Sequence, residues 1–225
     1  MCEKILLIFD LDGTIIDSAE NLLKCTNVAL KKYNFKPINR KKLESLIGFP
    51  LEKYFSHILS ERNVQFDKNL IRNLIEKFRD YSHHNLLEGI VIFEGIKEII
   101  ESLSDIYLKA IGTTKTSDVA KRTLRELGIE NLFDLIQGTD NFPFKPAPDL
   151  IFKIQNFFEN KGFILKRTIM IGDTAADMKA GKNANVNTIL VKYGFKEHID
   201  LESEKYADFI AYSPEEILEY IKRLS

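Results

Sequence analysis

Cysteine is scarce in this 225-residue sequence, which contains only Cys2 and Cys25. Two cysteines are too few for a disulfide framework or for a zinc site built on thiolates. No apolar run approaches the ~20 residues that a membrane-spanning helix needs. The apolar run near the N-terminus is too short for a signal sequence and ends on Asp10. We therefore expect a cytoplasmic protein.

An excess of charge of one sign is also absent. Lys and Arg total 32, Asp and Glu total 33, and the formal net charge is −1. Such a balance offers no field for nucleic acid or for an anionic membrane surface, so we expect neither as a partner. The sequence also lacks the G-x-x-x-x-G-K-[ST] and G-x-G-x-x-G fingerprints, which argues against a nucleoside-triphosphate loop and a dinucleotide site.

Strand-like apolar runs alternate with helical patterns through most of the chain. The runs cover residues 4–9, 106–111, 133–137, 168–171 and 188–191, with a weaker one at 209–211. Alternating strands and helices predict a parallel sheet with helices on both faces. The alternation fails between residue 17 and about residue 87, where four consecutive segments have helical patterns. We therefore predict an α/β protein with a Rossmann-like core of residues 1–16 and 88–225, and an inserted all-helical cap of residues 17–87.

The first strand, within LLIFDLDGTIID at residues 6–17, leads into Asp10 and Asp12 before a break at Gly13. Because side chains alternate along a strand, the two carboxylates point the same way. A strand end followed by an Asp-Gly turn explains Asp12 and Gly13 without any function. It does not explain Asp10, because a second acid beside a like charge is costly unless a cation or a shared proton compensates it. The alternative is a metal-assisted carboxylate pair at the edge of a parallel sheet.

Polar side chains follow the ends of the other predicted strands as well, and ligands of open parallel sheets bind at those ends. They are Thr113, Thr114, Lys145, Asp173 and Asp177. Each has a structural alternative, since the threonines and Asp173 can cap helices and the other two can be surface residues. Pro146 and Pro148 stiffen the loop around Lys145, which favours a side chain that must be aimed. The coincidence of four loops favours a functional site.

Four motifs resemble the signatures of the haloacid dehalogenase superfamily, most closely its phosphoglycolate phosphatase-like branch. They are DLDGT at residues 10–14, GTTK at 112–115, KPAPD at 145–149 and GDTAAD at 172–177. The resemblance covers essentially the whole chain, because DSAENL and LIGFPL in the helical insert also resemble the cap of that branch. The residue after the motif threonine is often asparagine in that branch. Here it is Thr114, which leaves the phosphate-binding role with Thr113.

The resemblance implies a Mg²⁺-dependent phosphatase for a small phosphorylated metabolite, with 2-phosphoglycolate as the first candidate. It implies that Asp10 attacks phosphorus and that Asp12 protonates the leaving group and then activates water. Asp10 and Asp173 would ligate the metal through their carboxylates, and Asp12 through its backbone carbonyl. Thr113 and Lys145 would hold the phosphoryl oxygens. Asp177 would orient Lys145 or metal-bound water.

Related activities fit the same motifs. A sugar phosphomutase of the β-phosphoglucomutase type and a pyrophosphatase remain alternatives, and a non-catalytic phosphate-binding module is a remote one. An acid at Asp12 favours phosphoryl transfer over dehalogenation, because a halide leaves unprotonated. In the insert, Gly48 permits an unusual turn and Pro50 starts a helix. We predict that Gly48 and Phe49 contact the organic part of the substrate, although an ordinary interhelical turn fits equally well. We expect a monomer or a homodimer.

Overall fold

The structure, a computed structural model, describes residues 3–195 and 201–224 of the chain, so Cys2 lies outside the described residues. The chain forms two compact units. The first consists of Met1–Asp17 and Ile92–Ser225, and the second of Ser18–Val91. In the described residues, no helix is both long and apolar enough to cross a bilayer.

The secondary structure elements are numbered here in chain order. They are β1 (Glu3–Phe9), β2 (Ile16–Asp17), α1 (Ala19–Lys32), α2 (Arg40–Glu44), α3 (Leu51–Glu61), α4 (Lys68–His84), β3 (Val91–Ile92), α5 (Ile96–Ser102), β4 (Tyr107–Thr113), α6 (Ser117–Glu126), β5 (Leu135–Gly138), α7 (Asp149–Asn160), β6 (Ile164–Gly172), α8 (Ala175–Asn183), β7 (Asn187–Val191), α9 (Leu201–Glu204), β8 (Phe209–Ala211) and α10 (Pro214–Leu224). A short 3₁₀ turn, Glu130–Leu132, precedes β5. The strands β2 and β3 form a separate two-stranded sheet.

The first unit is built on a six-stranded sheet in the order β5-β4-β1-β6-β7-β8, and every neighbouring pair in it is parallel. The central strand β1 is buried from Ile5 to Phe9, because helices cover both faces of the sheet. On one face, Leu6 and Ile8 pack into an apolar cluster with Leu150 and Ile154 of α7. The predicted α/β class with a parallel sheet is confirmed.

The strand β6 begins four residues earlier than its apolar pattern indicated, at Ile164 rather than Thr168. Residues 164–167 alternate between exposed and half-buried positions, so they form no continuous apolar run. They pair with the beginning of β1, where Glu3 lies opposite Ile164. A sheet end that is partly open to solvent carries polar side chains, which hides a strand from a search for buried runs.

The second unit contains four helices, α1 to α4. Two of them begin at acceptor side chains, because Asn39 accepts a hydrogen bond from the backbone N–H of Lys42 and Asp67 accepts one from that of Leu70. The helices α1 and α4 pack against each other, and α3 packs against α4. Their buried side chains are largely aliphatic and aromatic and include Leu30, Phe55, Ile58, Leu74 and Phe78.

The second unit starts and ends later than the predicted cap, at Ser18 and Val91 rather than at residues 17 and 87. The reason lies in the buried side chain of Asn21 on α1. Its amide donates hydrogen bonds of 2.9 Å to the backbone carbonyls of Asn85 and Glu88. These bonds attach Asn85 and Glu88, which follow α4, to α1, so the segment around residue 87 belongs with the helical unit.

Replacing Asn21 by alanine should destabilise the helical unit. The carbonyl of Glu88 would lose its donor and the carbonyl of Asn85 would keep only the backbone N–H of Glu88, and a polar group left without its hydrogen bond costs about 1–3 kcal/mol. We expect the free energy of unfolding in urea to fall by about that amount. The control is Asn73→Ala on α4, because Asn73 is half-buried and its side chain makes no hydrogen bond within the described residues. Equal stability of Asn21→Ala and Asn73→Ala would contradict the role assigned to Asn21.

Candidate active site

Four of the predicted functional side chains lie at the carboxyl edge of the large sheet. Asp10 follows β1 directly, Asp173 follows β6 directly, and Thr113 is the last residue of β4. Lys145 lies in the loop after β5. These four strands are neighbours in the sheet, and all four side chains belong to buried residues. The arrangement confirms that the strand ends converge.

Lys145 joins two of the acids. Its ammonium donates hydrogen bonds to Oδ1 of Asp10 at 2.7 Å, to Oδ1 of Asp177 at 2.5 Å and to the carbonyl of Gly112 at 3.1 Å. An ammonium has three N–H donors, so these acceptors use all of them. The side chain of Lys145 is only 2% exposed. It is therefore an internal cation that fixes two carboxylates, and not a surface lysine.

Asp177 is fully buried and has both oxygens engaged. Oδ1 accepts from Lys145, and Oδ2 accepts from the backbone N–H of Thr174 at 3.1 Å and from its hydroxyl at 2.5 Å. In return, the hydroxyl of Thr174 accepts from the backbone N–H of Asp177, which completes a capping box at the start of α8. A Cβ on Gly172 would lie 2.4 Å from Cγ of Asp177, so only glycine leaves room for this carboxylate.

Asp173 differs from the other acids of the site in its hydrogen bonding. Both of its carboxylate oxygens are buried, and neither has a hydrogen-bond partner among residues 3–195 and 201–224. Such an anion is costly unless a cation compensates it. Asp10, Asp173 and Asp177 can each offer one carboxylate oxygen within 4.8 Å of the others. Since Asp177 is already engaged, the unpaired oxygens of Asp173 are the observation that fits a bound metal ion.

Two glycines lie beside Asp173. Gly13 has a φ of +83°, and a Cβ on it would lie 2.1 Å from Oδ2 of Asp173. Gly194, after β7, would place a Cβ 2.1 Å from the carbonyl oxygen of Gly13. The neighbouring Tyr193 donates from its hydroxyl to the carbonyl of Thr14 at 3.0 Å. Sequence reasoning missed Tyr193 and Gly194, although they follow a predicted strand in the same way as the other site residues do.

Asp12 pairs with a different lysine from the one that Asp10 and Asp177 contact. Its Oδ2 pairs with the ammonium of Lys115, and the two side chains are 11% and 18% exposed. Lys115 belongs to the GTTK motif, but no sequence pattern predicts a contact for its side chain. The backbone N–H of Lys115 donates to the hydroxyl of Thr113 at 3.3 Å, so this loop holds both side chains at the same edge.

Three further residues are predicted to bind substrate: Thr114 in the first unit, and Gly48 and Phe49 in the second. Thr114 is half-buried and makes no side-chain hydrogen bond within the described residues. Gly48 and Phe49 belong to the helical unit. Gly48 has a φ of +88°, which confirms the unusual turn, and Phe49 is 37% exposed. The ammonium of Lys53 lies 4.3 Å from the centroid of the Phe49 ring. Their contact with substrate stays a prediction.

The electrostatics of the cluster reflect burial. Burial raises the pKa of Asp10 to about 7, against the opposing effect of Lys145. Burial also raises the pKa of Asp173 well above its usual range, and the charges of Asp177 and Asp10 add to the effect. For Lys145, burial alone would lower the pKa, but the two carboxylates it contacts outweigh burial and raise it. The site therefore holds more negative charge than its lysines neutralise, which favours a cation.

Known proteins are similar to this chain in sequence and in fold. The profile of the haloacid dehalogenase-like hydrolase family matches residues 7–191. The pyrophosphatase PpaX of Halalkalibacterium halodurans is 28% identical over 96% of this chain and 95% of its own. The phosphoglycolate phosphatase of Agrobacterium fabrum is 30% identical over 93% of this chain and 91% of its own. A haloacid dehalogenase-like family hydrolase from Streptococcus pneumoniae has a TM-score of 0.82 at 26% identity, covering 97% of this chain and 98% of its own.

The fold is a parallel α/β core with buried carboxylates at the carboxyl edge of its sheet. The family match spans most of the chain, and the Agrobacterium fabrum relative is similar over nearly its full length. The chain therefore belongs to the haloacid dehalogenase-like hydrolase family. The resemblance to the phosphoglycolate phosphatase-like branch is confirmed.

The raised pKa values predict that the metal-free protein loses stability as pH rises. The folded pKa of Asp10 lies above its ordinary value of 3.8, at about 7. The folded state thus binds more protons than the unfolded state between these values, and the free energy of unfolding falls with pH across that window. Asp173 acts in the same direction. The variant Asp173→Asn removes one of these groups and its charge on Asp10, so its stability should fall less steeply.

The measurement is urea unfolding with a chelator present, at constant ionic strength, from about pH 5 to about pH 7. The stability of Asp173→Asn relative to the wild type should increase with pH across this range. The control is Asp118→Asn on α6, because Asp118 is exposed. If Asp173→Asn keeps the same pH slope as the wild type and Asp118→Asn, the raised pKa values are wrong.

Proposed function

We propose that this protein is a Mg²⁺-dependent phosphatase that hydrolyses a small phosphorylated metabolite through an aspartyl-phosphate on Asp10. The observation that carries the proposal is that two carboxylates with different hydrogen-bonding environments lie at the same edge of the sheet. Asp10 is held by Lys145 at 2.7 Å, and Asp173 has two buried oxygens that find no hydrogen-bond partner in the described part of the chain. The first can act as an oriented nucleophile, and the second can act as a ligand for a hard cation.

The residues that would hold Mg²⁺ are Asp10 and Asp173 through their carboxylates and Asp12 through its backbone carbonyl. All three donors are oxygens, which suits Mg²⁺ better than a softer metal. When bound, the ion neutralises charge on a phosphate dianion and on the carboxylate that approaches it. Asp177 has both oxygens engaged by Lys145 and Thr174, so we assign it the positioning of Lys145 and not a place among the ligands.

The chain's own residues account for both halves of the reaction. An oxygen of Asp10 forms a bond to phosphorus while the bond to the leaving oxygen breaks, and Asp12 donates a proton to that oxygen. A water molecule then attacks phosphorus, Asp12 accepts its proton, and the Asp10 carboxylate is released together with phosphate. Thr113 holds the phosphoryl oxygens through its hydroxyl, and Lys145, whose three donors are already engaged, stabilises their charge electrostatically during both steps. Lys145 also keeps Asp10 in one orientation, which reduces the entropy lost on reaching the transition state.

The substrate we favour is 2-phosphoglycolate, because the Agrobacterium fabrum relative is named a phosphoglycolate phosphatase. Pyrophosphate is the second candidate, because the relative from Halalkalibacterium halodurans is named a pyrophosphatase. A sugar phosphomutase is distinguished from both by its product, since a mutase returns an isomeric sugar phosphate and no free phosphate. We further propose that the protein acts in the cytoplasm as a monomer or homodimer, without nucleic acid or membrane partners.

Phosphate release in the presence of Mg²⁺ tests the proposal directly. The assay offers 2-phosphoglycolate, pyrophosphate and glucose 1-phosphate, and EDTA should stop release until Mg²⁺ is restored in excess. The variant Asp10→Asn should lower kcat by about 1,000-fold or more, because an amide is a poor nucleophile. The control variant is Asp118→Asn, whose carboxylate is exposed on α6.

A companion variant separates the acid from the nucleophile. Asp12→Asn should slow esters of poor leaving groups by about 100-fold or more, but p-nitrophenyl phosphate should lose less in the first step, because nitrophenolate leaves without a proton. The proposed mechanism is wrong if folded Asp10→Asn retains near-normal phosphate release. It is also wrong if the wild type works fully after exhaustive dialysis against EDTA.

The loop at residues 48–50 of the helical unit is predicted to select the substrate. Phe49→Ala should then raise KM for the preferred ester by roughly tenfold, because an exposed aromatic contact is lost. Hydrolysis of acetyl phosphate should change little. Phe66→Ala provides a matched control, since Phe66 is also 37% exposed and belongs to the same unit. Parallel changes on both substrates, or no change on either, would show that Phe49 does not select the substrate.

A further inference from the structure

The two lysines of the site differ in the number of acceptors that their ammonium groups contact. Lys145 donates to three oxygens and has no donor left, and its side chain is 2% exposed. The ammonium of Lys115 contacts one acceptor in the part of the chain that the structure describes, which is Oδ2 of Asp12. Its side chain is 18% exposed. Two donors of Lys115 therefore remain for an oxygen ligand that enters from solvent.

The main chain, and not only the salt bridge, determines where Lys115 lies. Its carbonyl accepts a hydrogen bond from the backbone N–H of Thr139 at 2.9 Å. Its own N–H donates to the hydroxyl of Thr113 at 3.3 Å. A Cβ on Gly138 would lie 2.3 Å from the carbonyl oxygen of Lys115, so the two segments are in close contact. The side chain thus starts from a fixed backbone, and its ammonium can change partner without rearranging the loop.

Each of the two ammonium groups contacts one of the two acids that act on the bond that is broken. Lys145 contacts Asp10, the proposed nucleophile, so in the proposed reaction it would face the transferred phosphoryl group. Lys115 contacts Asp12, the proposed acid for the leaving oxygen, so in the proposed reaction it would face the leaving group. An anionic substituent close to the leaving oxygen would come within reach of Lys115 whenever that oxygen meets Asp12.

We propose that Lys115 binds a negatively charged group on the leaving group, so that the substrates are phosphate esters or anhydrides with an anion beside the scissile oxygen. This inference rests on the proposed function, in which Asp12 protonates the leaving oxygen. A carboxylate, as in 2-phosphoglycolate, and a second phosphate, as in pyrophosphate, share this chemistry. Sugar phosphates that leave as neutral hydroxyl compounds do not. Only the anionic leaving groups can accept a charge-assisted hydrogen bond between two oppositely charged groups from Lys115.

The experiment compares charged and neutral leaving groups of similar size. The substrates are 2-phosphoglycolate, pyrophosphate and 2-hydroxyethyl phosphate, whose leaving group resembles that of 2-phosphoglycolate but is neutral. The variants are Lys115→Met, which keeps the aliphatic stem and removes the charge, and Lys115→Arg, which keeps the charge. Lys121→Met, an exposed lysine on α6, serves as the control. The quantity measured is kcat/KM at saturating Mg²⁺, and a thermal melt establishes that each variant is folded.

Lys115→Met should lose roughly 10- to 100-fold more kcat/KM on 2-phosphoglycolate or pyrophosphate than on 2-hydroxyethyl phosphate. Lys115→Arg should retain most of the preference for the charged substrate, and Lys121→Met should resemble the wild type. The anionic substrate with the larger loss identifies whether a carboxylate or a phosphate is the group bound. Either result supports the proposal.

Equal losses of Lys115→Met on the charged and neutral esters would overturn the inference, because Lys115 would then act only by positioning Asp12. The proposed function would survive that result. If Lys115→Met does not fold, the test uses kcat/KM of the wild type and of Lys115→Arg on the charged and neutral substrates. A wild type that shows no preference for the charged substrates overturns the inference. A wild type that releases phosphate from none of the three substrates would contradict the proposed function itself, and with it this inference.

Discussion

The buried ammonium of Lys145 is the interaction on which the geometry of the site depends. It contacts carboxylates that follow two neighbouring strands, Asp10 after β1 and Asp177 after β6. Removing one partner from a buried ionic group leaves an uncompensated charge, which costs far more than a surface salt bridge contributes. The loop that carries Lys145, the end of β1 and the start of α8 are therefore held to one another by a single side chain. The parallel sheet brings these segments close, and the lysine fixes the orientation of the acids.

Four aspartates at this edge have four different environments. Asp10 contacts a buried lysine, and Asp12 contacts a partly exposed one. Asp177 accepts hydrogen bonds from Lys145 and from Thr174 at the start of α8. Asp173 alone has no protein partner among the described residues. The same residue type can thus serve as nucleophile, proton carrier, positioning group and ligand. What distinguishes these roles is the set of donors that the fold places around each carboxylate, together with burial.

Much of this arrangement could be predicted from the sequence, because strand periodicity and strand order determine which loops meet. Asp10, Thr113, Lys145 and Asp173 follow strand ends, and parallel strands expose those ends at one edge. The contact between Lys115 and Asp12 could not be predicted, since a lysine side chain has many rotamers and the choice depends on neighbours far along the chain. The extra residues of β6 were missed because half of them face solvent. The helical unit extends beyond residue 87, and the hydrogen bonds from Asn21 to Asn85 and Glu88 could not be predicted from any local sequence pattern.

The two glycines beside Asp173 have a consequence for how this protein can vary. Any missense change at Gly13 or Gly194 adds a Cβ, and at each position that atom would lie 2.1 Å from an oxygen already present. At Gly194 the obstacle is a main-chain carbonyl, which no rotamer change can move. A saturation mutagenesis library should therefore be depleted at these positions as strongly as at the acids themselves. Residues that bring no functional group to the reaction would then rank with the reactive ones in mutational sensitivity, because their contribution is the space they leave empty.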